Sequence, residues 1–251
     1  MKNLKQLLIS FFIVSGLFAC EKSPATPKID PPVVVKKEYK VLFVGNSYTF
    51  YNEGIDYHLK KMLDADGLSD SVTYDFQKIA VGSYTLEAHY SDPATLGKIR
   101  NEKWTAVVLQ EQSTRPMNTP ALFLEYATKL DTEIRKVKAK TILYMTWATK
   151  DQPGDIAALA AAYLSVGQEL NAPVAPVGRV WEYIQKTYPE INLYISDNKH
   201  PTLSGTYATV CVFYKQLFGR NPVDNKYIPS GMSAENVLAI RKAVNDYMRI
   251  K

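Results

Sequence analysis

Cysteine is nearly absent from this chain: Cys20 and Cys211 are the only two in 251 residues. A disulfide framework is therefore not what holds it together, and an ordinary hydrophobic core must do so. Histidine is as scarce, with only His58, His89 and His200. The chain has no glycine-rich phosphate loop, because Gly45-Asn46-Ser47 lacks the further glycines and the lysine such loops need. That serine is not in a G-x-S-x-G elbow, which argues against an ordinary α/β-hydrolase. No internal repeat and no nucleic-acid-binding motif is visible. The lysines are scattered rather than bunched, so the formal charge of +5 identifies no partner.

The apolar run from Leu7 to Phe18 is too short to cross a bilayer comfortably as a folded element. It follows the basic start Met1-Lys2-Asn3-Leu4-Lys5 and ends in Leu17-Phe18-Ala19-Cys20, the order of an export signal. The segment resembles the lipobox of bacterial lipoproteins, which implies that residues 1–19 are a signal peptide and Cys20 a lipidated first residue. The formal charge falls to +3 once Lys2 and Lys5 leave. Residues 20–38 carry Pro24, Pro27, Pro31 and Pro32 and read as an extended tether. Residues 39–251 are then one domain, exported and held at the cell envelope. Cys211, in Val210-Cys211-Val212-Phe213, reads as a buried inert thiol.

Within that domain, apolar strands alternate with helical patterns. Strands are predicted at 41–44, 72–80, 105–109, 141–145 and 173–176. Helices are predicted at 54–66, 85–100 with a break at Asp92-Pro93, 120–138, 156–170, 179–188, 203–218 and 234–248. Continuous apolar runs such as Val41-Leu42-Phe43-Val44 suit buried parallel strands. The class is α/β, with a mainly parallel five-stranded sheet between two helical layers.

Parallel sheets present their ligands at the carboxyl ends of the strands. Ser47 follows the first strand and Gly82 the second. Gln110-Glu111-Gln112-Ser113 follows the third, and Trp147 the fourth. Near the carboxyl end, Asp197-Asn198-Lys199-His200 spaces an acid and a histidine three residues apart. A loop can fold that carboxylate onto one ring nitrogen and leave the other as a base. A serine nucleophile needs that pair. Each residue has an ordinary alternative: Ser47 as a helix cap, Asp197 and Asn198 as loop residues, Gln110 to Gln112 as a solvated turn.

Taken together, Ser47, Gly82, Asp197 and His200 resemble the SGNH (GDSL-like) hydrolase superfamily over about Tyr39 to Arg220, as a divergent lipoprotein branch of Bacteroides type. The resemblance implies a flavodoxin-like α/β/α sandwich and a serine ester hydrolase that needs neither metal nor cofactor. It makes Ser47, Asp197 and His200 catalytic and the Ser47 and Gly82 N–H groups part of an oxyanion hole. Gln112, standing where that family has asparagine, supplies the third donor. Asn46, Tyr48, Gln110, Glu111 and Trp147 are expected at the substrate and His58 on the surface; the pocket rim is the lesser of the places open to His89. Tyr48, Tyr84 and Tyr207 would suit stacking on sugar rings. The substrate expected is a small acyl ester, above all an acetylated carbohydrate. A lipid acyl ester or thioester, or a non-catalytic glycan-binding role, are the alternatives.

Overall fold

The computed structural model describes residues 37–67 and 72–249. The expected signal peptide, Cys20 and all but the last two residues of the tether lie outside the described residues. Lys37 and Glu38, those last two, already belong to the first strand.

The five strands are β1 (Lys37–Gly45), β2 (Val72–Ala80), β3 (Ala106–Leu109), β4 (Lys140–Tyr144) and β5 (Val174–Ala175). They form one parallel sheet in the order β2-β1-β3-β4-β5. This is the doubly wound order of flavodoxin-like folds, whose chain reverses direction across the sheet between β1 and β3. Its helices are α1 (Ser47–Phe50), α2 (Ile55–Ala65), α3 (Leu86–Ser91), α4 (Pro93–Asn101), α5 (Arg115–Asn118), α6 (Pro120–Lys136), α7 (Ile156–Glu169), α8 (Val177–Thr187), α9 (Leu203–Phe218) and α10 (Ala234–Arg249).

The pleat of β1 shows how the layers arise. Successive side chains on a strand point to opposite faces. Val41 and Phe43 pack with residues of α2, α8, α9 and α10, whereas Leu42 and Val44 pack with residues of α3, α4, α6 and α7. The central strand is thus apolar on both faces because both are covered. Helix α9 is buried over most of its circumference, from Gly205 to Tyr214, because it lies among other helices as well as on the sheet. Cys211 sits there fully buried, and burial pushes its thiol up to about 12, so it stays protonated and inert. The predicted break at Asp92-Pro93 is a helix start: the Asp92 carboxylate accepts from Ala94 N–H, and Pro93 occupies the first turn, where its missing donor costs nothing.

Register fixes where the site falls. Gly45 pairs with Ala80, Val44 with Leu109, and Leu109 with Leu143. The strands therefore end together, and the segments after β1, β2, β3 and β4 emerge at one edge of the sheet.

Candidate active site

Chain and side chains brace the turn after β1 from three sides. The Gly45 carbonyl accepts from Val81 N–H at 3.1 Å and from His89 Nε2 at 2.7 Å. Asn46 N–H donates to Gln110 Oε1 at 2.8 Å, and Thr49 Oγ1 donates to the same oxygen at 3.0 Å. The Asn46 side chain caps α1 by accepting from Tyr48 N–H, and its Nδ2 donates to the Tyr84 carbonyl. A Cβ at Gly45 would lie 2.4 Å from Thr49 Oγ1 and 2.5 Å from Gln110 Oε1, so this close approach demands glycine. Ser47 follows as the first residue of α1.

Opposite it, the 197–200 loop is stapled down by distant groups. Trp147 Nε1 donates to the Lys199 carbonyl at 2.9 Å, and Lys150 N–H to the Asn198 carbonyl at 2.9 Å. Asn52 Nδ2 donates to the Pro201 carbonyl and to Thr206 Oγ1. Asp197 Oδ1 accepts from the Lys199 and His200 N–H groups, and Oδ2 lies 2.5 Å from His200 Nδ1. Although partial burial pushes the Asp197 carboxyl up, the hydrogen bonds from His200 and the two backbone groups bring it down to about 2. An ionised Asp197 assigns the proton to Nδ1 and leaves the Nε2 lone pair outward. Nε2 lies 2.8 Å from Ser47 Oγ. Tyr51 stacks on the imidazole, centroids 4.6 Å apart, and Tyr48 meets it edge-on at 5.7 Å, so the ring has little room to rotate.

A cavity of about 160 Å³ opens here, lined by Asn46, Ser47, Tyr48, Ser83, Gln112, Ser113, Lys199 and His200. An adjoining one of about 210 Å³ shares Ser113 and Lys199 with it and has apolar walls from Met117, Trp147, Ala148 and Leu159. A larger cavity of about 350 Å³, between Trp147, Pro153, Glu182 and Lys186, is lined by none of Ser47, Asp197 and His200. Among the described residues no three His, Cys, Asp or Glu side chains cluster as metal ligands.

Gln112 turns its amide in a defined sense. Its oxygen accepts from Thr114 N–H and Arg115 N–H, capping the short helix α5, and its Nε2 donates to Ser113 Oγ at 3.0 Å on the cavity side. Gly82 itself does not line the cavity; Ser83 beside it does. Nothing crowds Gly82, whereas Ser83 takes a left-handed φ of 64°.

Several expected contacts lie elsewhere. Gln110 is fully buried; besides its two acceptor bonds, its Nε2 donates to the Glu111 carbonyl, so it is a bracket beneath the site rather than a substrate contact. Glu111 is also fully buried, facing Leu86 N–H and Gln112 N–H. Trp147 is wall and core at once: it is stacked between Tyr48 and Trp181 and borders the adjoining cavity. His89 lies beneath Gly45, not on the rim, and burial pushes its pKa down. His58 is buried between Tyr227 Oη and the Asn52 carbonyl, not on the surface. Tyr207 is buried against Arg241, and Tyr48 gives its ring face to Trp147, so neither offers a face to a sugar. Tyr84 is half-buried against His89. The sequence reading did not single out Tyr51, Asn52, Ser83 or Lys199, whose places depend on long-range folding.

No protein-family profile and no curated protein sequence matches the chain. Solved structures do. A DUF4886 family protein from Bacteroides uniformis superposes with a TM-score of 0.73 at 16% identity, over 85% of this chain and 95% of that one. A protein described as an SGNH hydrolase, from Slackia heliotrinireducens, gives 0.61 at 20% identity, over 72% and 100%. The acetyl xylan esterase AlAXEase gives 0.58 at 17% identity, over 71% and 100%. With its five parallel strands, its sheet order and these neighbours, the chain has the SGNH-hydrolase fold.

Proposed function

We propose that the chain is a serine ester hydrolase that removes a small acyl group, with an acetylated carbohydrate as its substrate. One observation carries the reading: Ser47 Oγ stands 2.8 Å from His200 Nε2, while His200 Nδ1 stands 2.5 Å from Asp197. That is the order of contacts a nucleophile, its base and an orienting carboxylate require.

In this mechanism Ser47 Oγ attacks the ester carbonyl as His200 Nε2 takes its proton. The negative charge forming on the carbonyl oxygen is met by Ser47 N–H, by the Gly82–Ser83 backbone and by Gln112 Nε2. Collapse breaks the C–O bond, and His200 returns the proton to the departing alcohol. Water, deprotonated by the same nitrogen, then attacks the acyl-enzyme and releases the acid and free Ser47. Asp197, ionised across the neutral pH range, stabilises the imidazolium in both halves.

The small polar cavity beside Ser47 supports an acetyl-sized acyl group. The acetyl xylan esterase among the similar structures supports a carbohydrate ester, though the likeness itself is one of fold. A lipid acyl ester is the second reading, favoured by the apolar walls of the adjoining cavity. Lipidation at Cys20 would hold the enzyme at the envelope, where exported glycans arrive. The test is turnover of p-nitrophenyl esters of increasing chain length, and acetate release from acetylated xylan. Acetyl esters should lead octanoyl esters, and Ser47→Ala and His200→Ala should each lose on the order of a thousandfold or more. Preference for octanoyl would favour the lipid reading. Full activity in Ser47→Ala would overturn the mechanism, and no turnover of any ester would favour a glycan-binding protein.

A further inference from the structure

Glu111 is a carboxyl with no surface exposure, one residue from the cavity, yet it makes no contact there. Its Oε1 accepts two backbone N–H groups from two different loops: Gln112 at 2.7 Å and Leu86 at 3.1 Å. Leu86 opens α3, just after the Gly82–Ser83 turn. Gln112 lies in the β3–α5 loop. One oxygen therefore ties together the two segments that carry Ser83 and Gln112 to the cavity beside Ser47. A second tie runs parallel to it, from Arg115 of α5 to Glu87 of α3.

The other oxygen, Oε2, is buried without a hydrogen-bond partner among the described residues. Arg115 Nε, similarly buried and unpartnered, is 3.9 Å from it. A buried carboxyl with half its hydrogen-bonding capacity unused is costly. A neutral apolar residue would avoid that cost, but it would leave the Leu86 and Gln112 N–H groups stranded and the loops free to part. The arrangement suits a group kept for the geometry it imposes rather than for stability.

Resting on the esterase reading, we infer that Glu111 is a positioning residue: it sets the spacing between the Gly82–Ser83 turn and Gln112, and so the aim of the oxyanion donors at the carbonyl oxygen. It acts through Leu86 and Gln112 and touches no substrate. Donors aimed at a developing charge act in the transition state, so a loosened clamp lowers kcat and leaves ground-state binding nearly unchanged.

The experiment is steady-state kinetics of Glu111→Ala, Glu111→Gln and Arg115→Met on p-nitrophenyl acetate, with the folded fraction of each measured by circular dichroism. Glutamine keeps an oxygen acceptor for both N–H groups and should retain activity within about fivefold. Alanine should lower kcat per folded molecule by about a hundredfold with KM within about twofold. Arg115→Met removes the second tie and the cation 3.9 Å from Glu111 Oε2, but leaves both N–H bonds to Oε1 in place. It keeps the inference testable should Glu111→Ala fail to fold, and should lower kcat several-fold with KM unchanged. Unchanged kcat per folded molecule in Glu111→Ala, or in Arg115→Met where the alanine variant does not fold, would overturn the inference while leaving the esterase reading intact. Wild-type protein inert on every ester would overturn the reading itself and the inference with it.

Discussion

Replacing Glu111 by glutamine should change how stability depends on pH, and the sign can be worked out. Burial pushes the Glu111 carboxyl up to about 6, from 4.5 in an unconstrained chain, against the pull of the Gln112 and Leu86 N–H groups and Arg115. Between those values the unfolded chain has released its proton while the folded protein still holds it. The folded state then binds more protons, so its stability falls as pH rises. Well below pH 4.5 the group is neutral in both states, and its titration adds no cost. Above about pH 6 the full cost is present: one and a half units at 1.36 kcal/mol each, or about 2 kcal/mol. Glutamine does not titrate. Whatever fixed offset the substitution introduces, the stability of Glu111→Gln minus that of wild type should therefore grow by about 2 kcal/mol between pH 4 and pH 7.5. Taking the difference cancels every other titrating group, including the buried His58 and His89, whose lowered pKa values act in the opposite sense. Urea denaturation at the two pH values, with the slope m checked for constancy, measures this directly. A flat difference, or one that shrinks as pH rises, would refute the claim that Glu111 is held in a site hostile to its charge.

Three further outcomes are expected. Gln112→Ala should lower kcat about a hundredfold on p-nitrophenyl acetate, and Gln112→Glu should do the same while keeping the oxygen that caps α5; a normal kcat in both would leave the oxyanion to backbone donors alone. Gln110→Met keeps the volume but strands Asn46 N–H and the Glu111 carbonyl in a dry interior, so urea unfolding should show a loss of about 3 kcal/mol, and a loss below about 1 kcal/mol would mean that the turn is held by other contacts. Fatty-acid labelling of the expressed protein should mark wild type and disappear in Cys20→Ser, and label persisting in the variant would place the anchor elsewhere.

Certain features were legible in the sequence because they are local. Four consecutive apolar residues at Val41–Val44, β-branched and aromatic among them and closed by Gly45, read as a strand covered on both faces, and alternation of such strands with helices gives a parallel sheet. From that alone Ser47, Gly82, Gln112 and Trp147 fall at one edge, since every parallel strand ends on the same side. The D-x-x-H spacing was equally readable, because three residues suffice for a loop to close on itself. The short helices α1 and α5 were not, as four residues carry no periodicity.

What only the tertiary structure decided is which polar side chains face the cavity and which face inward. Gln110, Glu111 and Gln112 are alike by composition; they are told apart by backbone donors far off in sequence, Asn46 for the first and Leu86 for the second. His89 was drawn under Gly45 by the strand-end carbonyl of another segment. His58 did leave a trace, since it stands three residues after Ile55 and four before Met62, on the buried stripe of α2. Its partners, Tyr227 and the Asn52 carbonyl, left none that the sequence alone could reveal. Periodicity assigns a residue to a face, but a buried polar group is decided by the partner it finds there, and that partner is brought by the rest of the fold.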